Sequence, residues 1–213
     1  MQLLPPAALL KTGEVDHADW NYRPLLGAIS RRRFKLAVSL LEGRRAGRLL
    51  EIGYGSGVFL PELARHCGQL YGIDVHGMQG PVAESLARFG VAAQLSSGSV
   101  TAMPFEEGYF DVLVAVSALE FVADLDAACA EIRRVLSPGG TLIVVTPGHS
   151  PLVDFGLGVL TGKRAKEDFG DRRQSVIPTL LERFTVQRRL TVPARGISLI
   201  HLYTALELHA SIL

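Results

Sequence analysis

Apolar residues follow two different spacings along this chain. Short, almost uninterrupted apolar runs at residues 49–52, 70–74 and 141–146 predict buried strands. Between these runs apolar residues recur at helical spacing, as in residues 125–136, where most of the charged residues fall on another face. Strands that alternate with helices in this way predict a parallel sheet.

The two ends of the chain extend this pattern. Residues 25–41 have the apolar spacing of a first helix, and no linker divides the 213 residues, so a single α/β domain is predicted. Two late strand-like runs, residues 184–192 and 199–208, flank the turn-rich residues 193–196. They predict an antiparallel hairpin at the end of the sheet.

Composition limits the classes of binding partner and the cellular location that can be expected. The 22 Lys and Arg residues balance 21 Asp and Glu residues, and the net charge of +1 gives no global electrostatic reason to expect nucleic acid. No apolar run approaches the ~18–20 residues of a membrane-spanning helix. Residues 1–10 lack the basic start of a signal peptide and contain two prolines, so a cytoplasmic protein is predicted. Cys67 and Cys129 lie in helical apolar patterns, which favours buried, reduced thiols.

The densest candidate chemistry follows the first predicted strand. Here Glu51 precedes three alternating glycines, Gly53, Gly55 and Gly57. Glycines let the backbone turn sharply from strand to helix and let a bulky ligand lie against bare peptide groups. Val58 stands where a dinucleotide-binding G-x-G-x-x-G loop has its third glycine, so NAD is the weaker interpretation. The alternative is an ordinary tight turn between a strand and a helix.

A second carboxylate follows the second predicted strand. Asp74 ends the run of residues 70–74, at a place from which a carboxylate accepts hydrogen bonds from two adjacent ribose hydroxyls. The alternative is a helix N-cap or a turn aspartate. The spacing of Asp74 from the glycine loop favours the ribose.

Four ordered segments within residues 47–147 carry a resemblance to a known family. They are the acid and glycines of residues 51–57, the strand ending at Asp74, the M-P-F-E-E-G-Y-F-D-V-L stretch of residues 103–113, and the R-V-L-S-P-G-G stretch of residues 134–140. Together they resemble the class I S-adenosylmethionine-dependent methyltransferases. The resemblance implies a doubly wound, mostly parallel seven-stranded sheet with a C-terminal antiparallel hairpin, a Rossmann-like fold, and S-adenosyl-L-methionine as the cofactor.

The same resemblance implies where the cofactor binds. The glycine loop would wrap the methionine end of the cofactor, and Asp74 would bind the ribose. The adenine amino group would contact position 99, where the family usually has an acid. Ser99 departs from that pattern, although its hydroxyl can accept a hydrogen bond; the alternative is a loop residue without this contact. The implied cofactor contacts are Glu51, Gly53, Tyr54, Gly55, Gly57, Asp74, Val75, Ser99, Val100 and Ser117.

Three residues are candidates for catalysis, although methyl transfer from a sulfonium needs mainly alignment and a base is optional. Glu120 lies in L-E-F-V, which resembles the family's L-E-H-V with Phe121 in place of the histidine; its alternative is a polar residue facing solvent or the cofactor's amine. His149 follows the fifth strand and is the best-placed imidazole for accepting a proton; its alternative is a solvated loop residue. The resemblance also implies that Tyr22, with Trp20, closes a lid over cofactor and acceptor; the alternative is a hydrophobic staple before the first helix. No histidine pairing indicates a metal.

The expected parts of the single domain have different tasks. They are an N-terminal lid and helix at residues 1–46, the cofactor-binding core at 47–147, a substrate cap at 148–173, and a helix with the hairpin at 174–213. The cap is apolar first and basic afterwards. With the basic cluster at residues 31–35, it fits an acceptor that has an apolar tail and an anionic head, or a peripheral contact with an anionic membrane. The alternative is a lid whose basic flanks are solvated.

These observations predict direct in-line methyl transfer to a small, hydrophobic or lipid-like metabolite. Methylation of a DNA base is disfavoured because residues 117–120 lack the D/N-P-P-Y type of motif that grips a flipped base. Methylation of RNA or protein stays open. So does a cofactor-binding subunit without catalysis, because Ser99 and Phe121 depart from the family pattern. The acceptor atom and the oligomeric state are not specified by the sequence.

Overall fold

One twisted sheet organises the molecule. The computed structural model describes residues 1–14, 16–148, 172–192 and 202–210. Its strands are β1 (Ala46–Ile52), β2 (Cys67–Asp74), β3 (Gln94–Ser97), β4 (Phe110–Val116), β5 (Leu136–Pro147), β6 (Phe184–Val192) and β7 (Tyr203–Ala210). Their order in the sheet is β3-β2-β1-β4-β5-β7-β6. β1 to β5 pair in parallel and β7 runs antiparallel to both neighbours, so the predicted α/β sheet with its C-terminal hairpin is confirmed.

The helices connect these strands. They are α1 (Pro24–Leu41), α2 (Leu60–Leu63), α3 (Gln79–Arg88), α4 (Leu125–Val135) and α5 (Arg172–Arg183), with 3-10 turns at Pro6–Ala8, Ala18–Tyr22, Ala64–His66 and Leu119–Phe121. α1 begins at Pro24, whose fixed φ suits a first helical turn. α4 begins after Asp124, whose carboxylate accepts a hydrogen bond from the Ala127 N–H at 2.9 Å. Within the described ranges, no helix combines the length and the apolar character needed to cross a bilayer.

Both faces of the sheet are buried because successive strand residues point to opposite sides. On β1, Leu49 packs toward α1, α2 and α3, whereas Leu50 packs toward α4 and α5. On β4, Val114 packs on the same face as Leu49, and Leu113 packs on the same face as Leu50. This two-sided burial explains why the central strands read as continuous apolar runs, and it leaves the carboxyl ends of the strands as the edge where loops meet.

Three sequence predictions about boundaries were wrong. Leu136 belongs to β5 rather than to the preceding helix, because it pairs with Phe110 before the register shifts. Cys67 is the first residue of β2 rather than part of a helix, although its thiol is buried and free as predicted. β7 begins at Tyr203, later than predicted, and the predicted turn at residues 193–196 lies outside the described residues.

Candidate functional site

The loop after β1 passes through three glycines in left-handed conformations. The φ angles are 75° at Gly53, 52° at Gly55 and 73° at Gly57, in a region that side chains disfavour. A Cβ on Gly53 would lie 2.6 Å from the Cβ of Ala118, so this glycine lets the loop after β1 approach the loop after β4. Gly55 faces open space, since only the Asp16 carboxylate lies near, at 3.8 Å or more. The loop is therefore a backbone cradle.

Asp74 supports this cradle from the end of β2. One of its carboxylate oxygens accepts a hydrogen bond from the Gly55 N–H at 2.8 Å, and the other accepts from the Val75 N–H at 2.7 Å. A carboxylate offers about four lone-pair sites, so both oxygens keep room for a ribose hydroxyl. α3 begins only at Gln79, after Met78, so the alternative role of Asp74 as a helix N-cap is wrong.

His76 completes the support of the loop and was not predicted. Its Nε2 atom lies 3.0 Å from the Gly55 carbonyl oxygen and 3.9 Å from an Asp74 carboxylate oxygen. Its ring meets the Tyr54 ring edge to face, with centroids 4.9 Å apart. Burial, and then the charge of Asp74, raises the pKa of the Tyr54 hydroxyl, so this phenol stays neutral. The sequence offered one signal, a histidine two positions after the strand-end acid.

Glu51 lies at the end of β1 as a buried acid. It is 3% exposed, and its Oε2 has no hydrogen-bond partner among the described residues. Burial, and secondarily Asp74, raises the pKa of Glu51 to about 8, against the opposing effect of Arg33. A buried carboxylate is costly unless it is paired. An ammonium group that reached Glu51 would supply the missing partner and favour its ionised form.

The remaining predicted cofactor contacts follow β2, β3 and β4. Val75 is 77% exposed and Val100 is buried in the core beneath. The Ser99 Oγ lies 2.7 Å from the Thr101 Oγ1 in a tight turn. Ser117 has a φ of 54° and its N–H donates to the Val145 carbonyl at 2.8 Å. All of these residues lie at the carboxyl ends of parallel strands, which is where ligands bind in open α/β sheets.

The N-terminal segment lies over the glycine loop. Asp16, near Gly55, accepts hydrogen bonds from the Thr12 hydroxyl at 2.9 Å and from the Ala18 N–H at 3.1 Å, which hold its carboxylate in place. Tyr22 donates its hydroxyl to the Leu4 carbonyl, and burial raises the pKa of Tyr22. The arrangement fits the predicted lid, although Asp16 was missed. The catalytic role of Tyr22 stays a prediction.

Glu120 lies on the 3-10 turn Leu119–Phe121, directly beyond β4. It is 1% exposed, so the alternative of a solvated glutamate is wrong, and neither carboxylate oxygen has a hydrogen-bond partner among the described residues. Burial raises the pKa of Glu120 to about 7, while the residue's own backbone N–H dipole and the charges of Arg173 and Arg33 act in the opposite direction. We therefore expect Glu120 to exchange a proton near neutral pH. His149 and most of the predicted cap lie outside the described residues.

Comparison with known proteins agrees with this fold. Residues 50–144 match the family described as "Methyltransferase domain". The N-methyltransferase NodS from Bradyrhizobium japonicum, solved with S-adenosyl-L-homocysteine, has the same fold, with a TM-score of 0.64, 20% identity and coverage of 94% of each chain. Residues 50–144 therefore match a methyltransferase domain, and the chain shares the fold of a solved methyltransferase.

Two curated relatives extend the comparison. "Sterol 4-C-methyltransferase strm-1" of Caenorhabditis elegans is 33% identical over 98 residues, which cover 45% of this chain and 29% of the relative. "Demethylmenaquinone methyltransferase" of Roseiflexus castenholzii is 33% identical over 122 residues, which cover 56% of this chain and 51% of the relative. The chain thus spans about half or less of the length of these relatives.

Proposed function

We propose that this protein transfers the methyl group of S-adenosylmethionine to a small, hydrophobic or lipid-like acceptor. The observation that carries the proposal is Glu51, a buried acid with an unpartnered oxygen beside the glycine loop and electrostatically coupled to Asp74. The ammonium group of the cofactor's methionine end fits Glu51, and its ribose fits Asp74. The names of the two curated relatives, a sterol and a demethylmenaquinone methyltransferase, support an apolar acceptor.

Residues of this chain would position the cofactor and the acceptor. When bound, the cofactor supplies an electrophilic methyl group on a positively charged sulfur. The backbone of the glycine loop and Asp74 would hold the cofactor against the ends of β1 and β2. The acceptor would then approach from the ends of β4 and β5 and the start of β7, beside Ser117 and Glu120. Holding the two reactants in line supplies several kcal/mol of the barrier, about 7–11 in the best oriented cases, and Glu120 is available there to hold or release a proton.

Calorimetric titration with S-adenosyl-L-homocysteine tests the cofactor site. We expect binding in the micromolar range that NAD does not compete with. Gly55→Val should abolish it, because a side chain would strain a φ of 52° and fill the cradle. Gly139→Val is the matched control, since Gly139 also has a positive φ, 77°, and open space around it but lies at the start of β5. Equal losses in both variants would remove the assignment.

A second variant tests the ribose contact, and a turnover assay tests catalysis. Asp74→Ala should weaken binding of S-adenosyl-L-homocysteine by about 1–3 kcal/mol through lost charge-assisted hydrogen bonds. Transfer of a labelled methyl group from S-adenosylmethionine into a lipid-soluble extract would demonstrate activity and the acceptor class. Cofactor binding without any transfer to lipid, RNA or protein fractions would instead identify a binding subunit.

A further inference from the structure

Four elements converge beyond the carboxyl ends of β4 and β5. Glu120 stands on the turn after β4, and α5 packs on that turn. α1 packs on β5 and β7. Tyr203, the first residue of β7, pairs with Pro147 at the end of β5. This is the side of the sheet away from Asp74 and the predicted ribose contact.

Several buried polar atoms in this region lack hydrogen-bond partners among the described residues. Glu120 is 1% exposed and both its oxygens lack hydrogen-bond partners among the described residues. The Thr146 Oγ1, on a residue that is also 1% exposed, and the Ser117 Oγ lack partners among the same residues. Buried polar atoms are almost always satisfied, and each exception calls for an explanation such as a bound ligand.

Two arginines contribute positive charge to the surroundings of this cluster. The charges of Arg33, on α1, and Arg173, on α5, both lower the pKa of Glu120 and that of Tyr203, although burial raises both values overall. Their sequence neighbours Arg32 and Arg172 are exposed. The two basic runs in the sequence therefore each send one arginine toward the interior and another into solvent.

We propose that Arg33, Arg173, Tyr203 and Glu120 form an acceptor-recognition cluster that binds a carboxylate-type oxyanion on the methyl acceptor. The proposal rests on the proposed function, and it assigns the acceptor an anionic polar end. Two guanidinium groups and a neutral phenol are donors that match an oxyanion. Phe121, next to Glu120 and 37% exposed, adds apolar surface for the rest of the acceptor.

Glu120 makes this recognition dependent on pH. Its pKa of about 7 means that it is mostly protonated at pH 6 and mostly ionised at pH 8. In the protonated form it donates a hydrogen bond to the oxyanion, and in the ionised form it competes with the oxyanion for the arginines. The groups acting on it are Arg33 from α1, Arg173 from α5 and Tyr203 from β7. Binding of the oxyanion should therefore weaken as the pH rises.

Three probes with the same apolar tail test the proposal. Octanoate, octanol and octylamine are titrated by calorimetry into the wild-type protein at pH 6.5, with and without saturating S-adenosyl-L-homocysteine. We expect octanoate to bind at least about tenfold more tightly than octanol, as a charge-assisted hydrogen bond predicts, and octylamine to bind more weakly than either. Octanoate that binds no better than octanol would overturn the proposal.

Paired arginine variants decide whether the cluster is responsible. Arg173→Gln and Arg33→Gln should remove the preference for octanoate and leave octanol binding within about twofold, whereas Arg172→Gln and Arg32→Gln should keep it. Arg173→Gln is the cleaner variant, because Arg33 also acts on Glu51. Thermal unfolding checks that each variant folds, and Arg173→Lys, which keeps the charge, should restore part of the preference. Equal losses in all four glutamine variants would indicate general surface charge and refute the cluster.

A pH series separates Glu120 from a merely structural role. For wild type we expect the affinity for octanoate to fall about fivefold or more between pH 6 and pH 8. For Glu120→Gln we expect the affinity for octanoate to stay constant over this range. A wild-type affinity without pH dependence would contradict the part assigned to Glu120. Failure of S-adenosyl-L-homocysteine to bind would count against the proposed function alone, since the octanoate preference is also measured without it.

Discussion

Replacing Glu51 by glutamine should stabilise the protein at alkaline pH. The pKa of Glu51 is raised from 4.5 to about 8 in the folded state, so the folded protein binds this proton more tightly than the unfolded chain does. Stability that is present below pH 4.5 is then lost as the pH rises through about 8. With about 1.4 kcal/mol for each pKa unit, ionisation of Glu51 costs the folded state about 4 kcal/mol between pH 5 and pH 8.5. Glutamine carries no proton to lose and avoids this cost.

Urea denaturation at pH 5, 7 and 8.5 measures the effect. The difference in free energy of unfolding between Glu51→Gln and wild type should shift by about 4 kcal/mol in favour of the variant across this range. The same substitution should weaken binding of S-adenosyl-L-homocysteine by about 1.5–3 kcal/mol, because it removes the charged partner of the cofactor's ammonium. Greater stability combined with weaker binding is the signature expected of a binding residue.

Glu62 provides the matched control. It is 3% exposed, as Glu51 is, but its carboxylate lies 3.4 Å from Arg65 and 3.7 Å from His66 and accepts a hydrogen bond from the Gln2 N–H. Glu62→Gln should therefore destabilise the protein by about 1–3 kcal/mol and leave cofactor affinity unchanged. Parallel pH profiles for wild type and Glu51→Gln would refute the reasoning, because they would show that Glu51 ionises as easily when folded as when unfolded.

Three further predictions follow from local packing. Gly72→Ala should lower the free energy of unfolding by about 1–3 kcal/mol, measured in urea, because its Cβ would meet the Leu95 Cδ2 at 2.7 Å. Tyr22→Phe should cost about 1 kcal/mol through its lost hydrogen bond to the Leu4 carbonyl, and an unchanged kcat would contradict the predicted catalytic role. Burial raises the pKa of the Cys129 thiol to about 11, so Ellman's reagent should modify it only after unfolding; rapid reaction of the native protein would contradict this.

The parts of the fold that depend on local pattern were predictable. Apolar runs flanked by turns identified the central strands, because strands buried on both faces need such runs. Glu51, the glycines and Asp74 were placed correctly at strand ends, because the alternation of strand and helix brings those ends to one edge. Boundaries were less predictable, since pairing with Phe110 across the sheet, rather than local propensity, draws Leu136 into β5.

The parts of the site that depend on distant contacts were not predictable. Asp16 reaches Gly55 only because the N-terminal segment folds back over the loop. Nothing in the basic run at residues 31–33 distinguishes its members, yet the structure separates them. Arg31 donates to the Asn21 carbonyl, Arg32 is exposed, and Arg33 acts on both Glu51 and Glu120. Such differences arise from helix phase and tertiary packing together.

The buried glutamates of the described residues divide into two kinds. Glu62 and Glu207 have arginine partners. Arg65, three residues along the chain, lies 3.4 Å from Glu62. Arg44 donates a hydrogen bond to one Glu207 oxygen, and the other oxygen has no hydrogen bond but lies 3.7 Å from Arg188. Glu51 and Glu120 stand at the ends of β1 and β4 with unpartnered oxygens and raised pKa values. An unpaired buried acid lowers stability, and such costs persist mainly where a ligand recovers them. Because the charge of Arg33 lowers the pKa of both acids, we expect the binding of an ammonium at Glu51 and of an oxyanion near Glu120 to influence each other electrostatically.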